Sequence, residues 1–424
     1  MDHEPDEEKK KLAPILGEWG LTLYEVARVR KVWRLKTEAG FLCLKPSRLS
    51  SLDLLFVERL VAHARQGGFT RAAAAIPTRD GHHFVAAGGF SYLLFPWFAG
   101  REAAFAREDA LLAAIVPLAA FHRAGSGFIP YRSDPARVRW GTWPVLLAAR
   151  LAQLYEFGER ARMLSASPFG ILYARLFSHY VAQAEEALRL LKVSPYEELA
   201  EEGARRRMVC HHDPSPRNFI LDEEGRAFLL DFEYALADLR LHDLANLLLR
   251  LLRRHGWRPE VARKVIGAYH RENPLDEREL AVLYPFLLWP QDFWQIGRQF
   301  FAERLPWPSE RFFETLHRRT VDREERGSFL DWYKAEDWRP AKLSFSSPLF
   351  GPPGLTMRRD FPPGQLEISL PKADLPQGHR EGQGQGEFQR QLLAEGDKPG
   401  GREALSGRFD LHGHVTEGSS FGHP

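Results

Sequence analysis

The sequence predicts an α+β fold with two lobes, a small antiparallel sheet followed by a mostly helical part. Short β-branched and aromatic segments separated by glycine turns dominate residues 1–98, whereas apolar residues at helical spacing dominate 99–338. One short β segment, at 209–232, interrupts the helical pattern. We therefore expect a sheet lobe over 1–98, a helical lobe over 99–338 and a tail over 339–424.

The bulk composition excludes several classes of protein. The chain has 424 residues, and 58 Lys and Arg face 56 Asp and Glu, so no bulk charge attracts nucleic acid or anionic lipid. Cys43 and Cys210 are too few for a disulfide framework or a zinc ribbon, which favours a reducing compartment. The charged amino terminus has no secretory h-region, and the apolar run 110–121 is too short to cross a bilayer. We expect a cytoplasmic protein that binds neither nucleic acid nor membrane.

The elements of the first lobe follow from turn and stop signals. Residues 21–46 read as short strands broken at Thr37-Glu38-Ala39-Gly40, a hairpin signature. A helix is expected over 52–66, because its apolar residues have helical spacing and Gly67-Gly68 ends it. A second hairpin follows Pro77 and turns at Gly88-Gly89.

The second lobe is predicted from apolar periodicity. Helices are expected over 107–123, 143–155, 171–191, 241–254 and 261–272, with a helix-rich stretch up to 338. From residue 339 the composition shifts to Pro, Gly, Gln and charge, which cannot bury enough apolar surface to offset chain entropy. This composition predicts a disordered tail.

The β segment carries the chemistry. Strands at 219–221 and 227–230, joined by a turn, would place Asn218 beside Asp231, with Asp213 on the loop that enters the hairpin. One amide oxygen and one carboxylate suit Mg²⁺, a hard cation that keeps other positions for water and phosphate. Asp213 is then free to accept a proton. This division of roles matches phosphoryl transfer.

The loop His211–Asn218, reading HHDPSPRN, resembles the His-x-Asp-x-x-x-x-Asn loop of the aminoglycoside phosphotransferase and choline kinase superfamily, a branch of the protein-kinase-like fold. Asp231-Phe232-Glu233-Tyr234 is similar to the following segment of choline-kinase-like members. Residues 31–45 and 92–102 resemble the CotS-like spore coat branch more closely than the antibiotic-resistance enzymes. The resemblance covers 15–336 and implies a bilobal protein-kinase-like fold.

Carried over by position, the resemblance implies an ATP- and Mg²⁺-dependent phosphotransferase that acts on a hydroxyl of a small molecule. It also implies a spore coat association, with other coat proteins as partners. The implied roles are catalytic base for Asp213, Mg²⁺ ligands for Asn218 and Asp231, phosphate binding for Lys45, partner of that lysine for Glu58, and backbone contacts to adenine near Pro96 and Phe98. Asp53 is a rival to Glu58, and Asp243 is expected to cap its helix or brace the loop.

Two departures from the family pattern leave the function open. The turn 28–31 has no glycine where a phosphate-binding loop is usual, and Glu233 stands where protein kinases have glycine. Three functions therefore remain: a small-molecule kinase, a structural coat protein with weak or no catalysis, and a nucleotide-binding sensor. Choline, an aminoglycoside, a sugar and a spore metabolite all remain open as acceptors.

Overall fold

The computed structural model describes residues 4–338 apart from 104 and 106. The tail predicted over 339–424 lies outside the described residues. The first part is built on a five-stranded antiparallel sheet with the order β1-β2-β3-β5-β4. Its elements in chain order are α1 (Glu4–Gly17), β1 (Leu23–Val29), β2 (Val32–Thr37), β3 (Gly40–Ser47), α2 (Ser51–Gln66), β4 (Val85–Ala87) and β5 (Phe90–Pro96).

Two of the three hairpin turns of this sheet use glycine. Gly40 joins β2 to β3 at φ +96, and Gly88 and Gly89 join β4 to β5 at φ +58 and +78. A left-handed backbone costs glycine little, as the sequence predicts for these turns. The turn between β1 and β2 instead places Arg30 at φ 56, and the Arg30 side chain pairs with Glu102.

Helix α2 links the sheet to the helical part. Ser50 begins the helix by accepting a hydrogen bond from the Asp53 N–H at 3.1 Å. Leu54 packs with Leu93 of β5, whereas Phe56 contacts the Phe128 ring at 5.2 Å within the main core. The helix therefore couples the position of the sheet to the core below it.

The second part is helical apart from a three-stranded antiparallel sheet with the order β6-β7-β8. Its elements are β6 (Arg101–Glu102), α3 (Glu108–Gly125), α4 (Trp143–Met163), α5 (Pro168–Val193), α6 (Tyr196–Arg206), β7 (Phe219–Leu221), β8 (Ala227–Leu229), α7 (Leu241–Arg254), α8 (Pro259–Glu272), α9 (Glu277–Leu288), α10 (Gln291–Gly297), α11 (Ser309–Thr320) and α12 (Arg323–Ala335).

The apolar helix α3 lies beneath the small sheet. Ile115, Leu118 and Phe121 are fully buried, and the Phe121 ring lies 5.1 Å from the Phe232 ring just after β8. Burial of these side chains is the main favourable term that holds the hairpin in place. In the described part of the chain, no helix has both the length and the apolar character needed to cross a membrane.

The structure adds elements that periodicity did not predict. The charged segment at the amino terminus forms α1, which buries Leu12 and Leu16. Helix α6 precedes the β segment, and α4 extends to Met163 rather than to residue 155. These helices have few apolar residues in their exposed turns, so tertiary packing rather than local pattern determines their extent.

Candidate active site

The hairpin β7–β8 brings the predicted metal ligands to the same end of the small sheet. Phe219 pairs with Leu229, and the Leu230 N–H donates to the Asn218 carbonyl at 2.8 Å. Asp231 follows directly, at φ 62, a left-handed conformation that aspartate tolerates better than most residues. Asn218 and Asp231 therefore leave the sheet side by side.

Lys45 reaches this point from the other sheet. Its Nζ lies 2.6 Å from Oδ1 of Asp231 and 3.0 Å from Oε1 of Glu233. Burial acts to lower the pKa of Lys45, but attraction to the two carboxylates outweighs burial and raises it. Burial likewise acts to raise the pKa of Asp231, but Lys45 lowers it below the ordinary value. The pair is therefore ionised and joins the two sheets.

Asp213 and Asn218 are in direct contact. The Asn218 side-chain amide donates to the Asp213 carbonyl at 2.8 Å and to its Oδ2 at 3.0 Å, and the Ser215 hydroxyl lies 3.4 Å from the same carboxylate. In this orientation the NH₂ group of Asn218 donates both of its hydrogen bonds to Asp213. It leaves the amide oxygen as the atom that can bind a cation.

Asp243 braces the loop that carries Asp213. Its carboxylate accepts hydrogen bonds from the backbone N–H of His211 at 2.6 Å and of His212 at 2.8 Å, and it lies 2.8 Å from Nε2 of His122. Burial acts to raise the pKa of Asp243, but His122 and His242 hold it well below its ordinary value. The bracing role expected for Asp243 is therefore seen in the structure. His212, at φ 71, is one of the two residues that this carboxylate holds.

The ion pair between Lys45 and Glu58 that the resemblance implies is not formed. Glu58 lies 3.7 Å from Nδ1 of His83 instead, and burial raises the pKa of Glu58 to about 7. Burial lowers the pKa of His83, so the contact is not a strong ion pair near neutral pH. Glu233, two residues after Asp231, instead occupies the position beside Lys45.

Asp53, the rival to Glu58, contributes through Arg137. Arg137 Nε donates to Oδ1 of Asp53 at 2.7 Å, and its Nη1 donates to the carbonyls of Glu233 at 2.6 Å and Ala235 at 3.2 Å. Arg137 is buried and comes from a 3₁₀ turn between α3 and α4. It therefore ties α2 to the segment that follows Asp231.

The end of β5 forms the edge where adenine contacts are predicted. Pro96 pairs with Leu42 of β3, and the Trp97 N–H donates to the Phe41 carbonyl at 3.1 Å. The Phe98 ring lies 5.2 Å from the Phe228 ring of β8. The backbone of Pro96 and Phe98 thus lies at the passage from the first sheet to the second, and its contact with adenine stays a prediction.

A second group of possible metal ligands is already engaged within the protein. His122, Cys210 and Asp243 carry ligand atoms within 4.8 Å of one another. However, His122 is hydrogen-bonded to Asp243, and the Cys210 thiol donates to the Leu239 carbonyl at 2.8 Å. Burial raises the pKa of Cys210 well above its ordinary value, so the thiolate a metal needs is disfavoured.

Sequence reasoning assigned no role to three residues of the site. Glu233 and Arg137 contact the segment around Asp231, and Arg250 of α7 places Nη2 3.4 Å from Oδ1 of Asp213. Glu233 could have been found, because it follows Asp231 by two residues. Arg137 and Arg250 are distant in sequence, and no local signal marks them.

Comparison with known proteins identifies the class. Residues 25–283 match the model of the phosphotransferase enzyme family, and the chain belongs to that family. It is 25% identical to Spore coat protein S of Bacillus subtilis (strain 168) over 304 residues, which are 71% of this chain and 86% of that protein. The family and its CotS-like branch, expected from the motifs, are confirmed as the chain's relatives.

Solved structures share the fold. An aminoglycoside phosphotransferase from Alicyclobacillus acidocaldarius has a TM-score of 0.67 at 22% identity, covering 76% of this chain and 95% of that one. A spectinomycin phosphotransferase in complex with ADP and spectinomycin has a TM-score of 0.51 at 10% identity, covering 82% and 99%. The predicted α+β, protein-kinase-like fold is confirmed, and family and fold together support a kinase-type enzyme.

Proposed function

We propose that the protein transfers the γ-phosphoryl group of ATP to a hydroxyl of a small molecule in a magnesium-dependent reaction. The observation that carries this proposal is the convergence of Lys45, Asp231, Asn218 and Asp213 where the two sheets meet. Phosphoryl transfer needs a cation for the phosphates, oxygen ligands for a metal and a carboxylate for the attacking hydroxyl. The four residues supply these groups.

Each residue has a distinct role in this reaction. Asp213 orients the acceptor hydroxyl and takes its proton, while Asn218 holds the Asp213 carboxylate through its amide group. Lys45 binds the nucleotide phosphates, and the backbone near Pro96 and Phe98 binds adenine. Asn218 and Asp231 would hold Mg²⁺, which neutralises charge on the phosphates when bound. A carboxylate and an amide oxygen are a donor set that fits this hard cation.

The experiment uses Asp213→Asn, which keeps the size of the side chain but removes the proton acceptor. ATP consumption is followed over a panel of hydroxylated metabolites. We expect phosphoryl transfer to fall by about 10²- to 10⁴-fold while stabilisation by ATP and magnesium is retained. Loss of nucleotide binding together with transfer would contradict the role of Asp213 as base.

A structural role in the spore coat is the second candidate. It is favoured by the similarity to Spore coat protein S and by the turn at Arg30, which lacks glycine and whose side chain is paired with Glu102. In this case the fold serves assembly, and the protein acts in the coat with coat proteins as partners. Absence of both stabilisation by millimolar ATP and ATP consumption on every metabolite of the panel would favour this candidate.

A further inference from the structure

An arginine of helix α7 contacts the candidate base. Arg250 lies 3.4 Å from Asp213, and 37% of its side chain is exposed. Charge-assisted hydrogen bonds between arginine and carboxylate are normally about 2.7–2.9 Å long, so this contact is loose. The guanidinium is therefore near the base and still open to a ligand.

Arg250 belongs to a polar stripe along α7. His242, Asn246, Arg250 and Arg253 follow one another at intervals of four, four and three residues, which places them on one face of a helix. The stripe begins at the catalytic loop, because the His242 ring stacks on the His212 ring at 3.9 Å. It then runs past Asp213 toward α10 and ends where Arg253 pairs with Asp292.

The carboxylates beyond Asp213 are already matched with arginine. Asp292 of α10 pairs with Arg253 and lies 4.0 Å from Arg319, and Asp322 lies 3.5 Å from Arg253. Burial acts to raise the pKa of Asp292, but Arg253 and Arg319 lower it to about 2. Asp292 and Asp322 are therefore engaged with arginine, which makes them poor partners for a cationic acceptor.

Helix α4 brings a further cation to the same side. Arg150 is buried, places Nη1 3.1 Å from Oε1 of Gln291 and lies 4.2 Å above the Trp294 ring. Burial lowers the pKa of His212 well below its ordinary value, and the charge of Arg150 lowers it further. Arg150 is therefore close enough to His212 to affect the catalytic loop.

We propose that the acceptor is an anionic alcohol, whose carboxylate or phosphate group binds Arg250 while its hydroxyl lies at Asp213. The proposal rests on the phosphotransferase function proposed above. The hydroxyl gives its proton to Asp213 as its oxygen bonds to the γ-phosphorus. The bond from that phosphorus to the β–γ bridging oxygen breaks, and ADP leaves with the electron pair. The planar guanidinium suits either anion, because it can donate two parallel hydrogen bonds.

The experiment compares matched acceptors that differ in charge. One set is gluconate, glucose 6-phosphate, glucose and glucosamine, and the other is glycerate, glycerol 3-phosphate, glycerol and 3-amino-1,2-propanediol. ADP release and phosphorus NMR of the product give kcat/KM for each. We expect kcat/KM for the anionic acceptors to exceed that for the neutral and cationic acceptors by about 10- to 100-fold. Comparison of the carboxylate with the phosphate in each set shows which anion the protein recognises.

Variants then locate the effect. Arg250→Ala should reduce the preference for anionic over neutral acceptor by about 10- to 100-fold through a higher KM, and Arg250→Lys should restore part of it. Arg254→Ala is the matched control, since this exposed arginine of the same helix should leave the preference unchanged.

Three outcomes would overturn the inference while the proposed function stands. They are a preference for the cationic acceptor, no reaction of any anionic acceptor although ATP and magnesium bind, or an equal loss on all acceptors in Arg250→Ala. The last result would assign Arg250 to the transferring phosphoryl group. Failure of ATP and magnesium to stabilise the wild-type protein would instead contradict the proposed function itself.

Discussion

The ammonium group of Lys45 lies 2.6 Å from Oδ1 of Asp231, and this ion pair joins the five-stranded sheet to the end of β8. Glu233 adds a second carboxylate at 3.0 Å. The arrangement holds the candidate phosphate-binding lysine against the candidate metal ligand. In the proposed reaction, a nucleotide with its metal enters between Lys45 and Asp231, where each carboxylate can release the lysine and bind the metal ion instead.

Replacing Lys45 by alanine leaves two partly buried carboxylates close together without a cation. The side chains of the Lys45–Asp231 pair are 19% and 34% exposed, so we expect the free energy of unfolding to fall by about 1–2 kcal/mol, less than for a fully buried pair. We also expect ATP no longer to raise the Tm. Urea unfolding and thermal melts measure both effects.

The control for this variant is Lys36→Ala, which breaks the exposed pair with Glu25. It should change stability by less than about 0.5 kcal/mol and should keep the response to ATP. If Lys45→Ala matches the control in both respects, the ion pair has neither of the roles assigned to it.

Glu58 predicts a pH dependence of stability. Burial raises its pKa to about 7, from an ordinary value of 4.5, so the folded state binds more protons than the unfolded state between these values. Stability should therefore fall as the pH rises from about 4.5 to about 7, because the buried carboxylate must then ionise. Glu58→Gln removes this loss, and we expect the variant to be more stable than wild type at pH 8 by up to about 3 kcal/mol.

Urea unfolding at pH 5 and pH 8 measures this difference. Glu18→Gln, at an exposed position, is the control and should follow wild type at both values. A Glu58→Gln protein that gains no stability relative to wild type between pH 5 and pH 8 would contradict a raised pKa at Glu58.

Asp243→Asn tests the brace of the catalytic loop. In wild type, the Asp243 carboxylate accepts one hydrogen bond from each of the backbone N–H groups of His211 and His212. Asparagine keeps one acceptor oxygen, but its NH₂ group is a donor and faces one of these two N–H groups. Because the site is fully buried, no water can accept the hydrogen bond that the N–H group loses. We therefore expect a loss of about 3–5 kcal/mol in the free energy of unfolding. Hydrogen exchange at these two amides should accelerate more than exchange in α5. Unchanged exchange at both amides would show that the loop does not depend on Asp243.

The sequence predicted the parts of the site that local chemistry determines. The hairpin that brings Asn218 to Asp231 was recognisable from its strand and turn residues, and the glycine turns formed as expected. Helix α7, at Leu241–Arg254, has the predicted bounds because its apolar residues repeat regularly.

Contacts between distant segments could not be predicted in the same way. The family resemblance implied that Glu58 lies beside Lys45, yet the direction of a helix face relative to a strand depends on packing of the whole lobe. Arg137 and Arg250 reach the site from segments 94 residues before and 19 residues after Asp231. One sequence does not specify which helix faces meet, so such residues become visible only in the folded chain.

The most direct measurement of the central claim is the thermal stability of the protein with ATP, in the presence of magnesium and then of a chelator. With ATP at about 100 times its Kd, magnesium should stabilise the wild-type protein by about 2.7 kcal/mol, and chelation should remove most of this gain. Asp231→Ala should lose the gain, whereas Asp213→Ala should retain it. An equal response of Asp231→Ala and wild type, or no response of the wild type at millimolar ATP, would contradict a magnesium nucleotide site between Lys45 and Asp231.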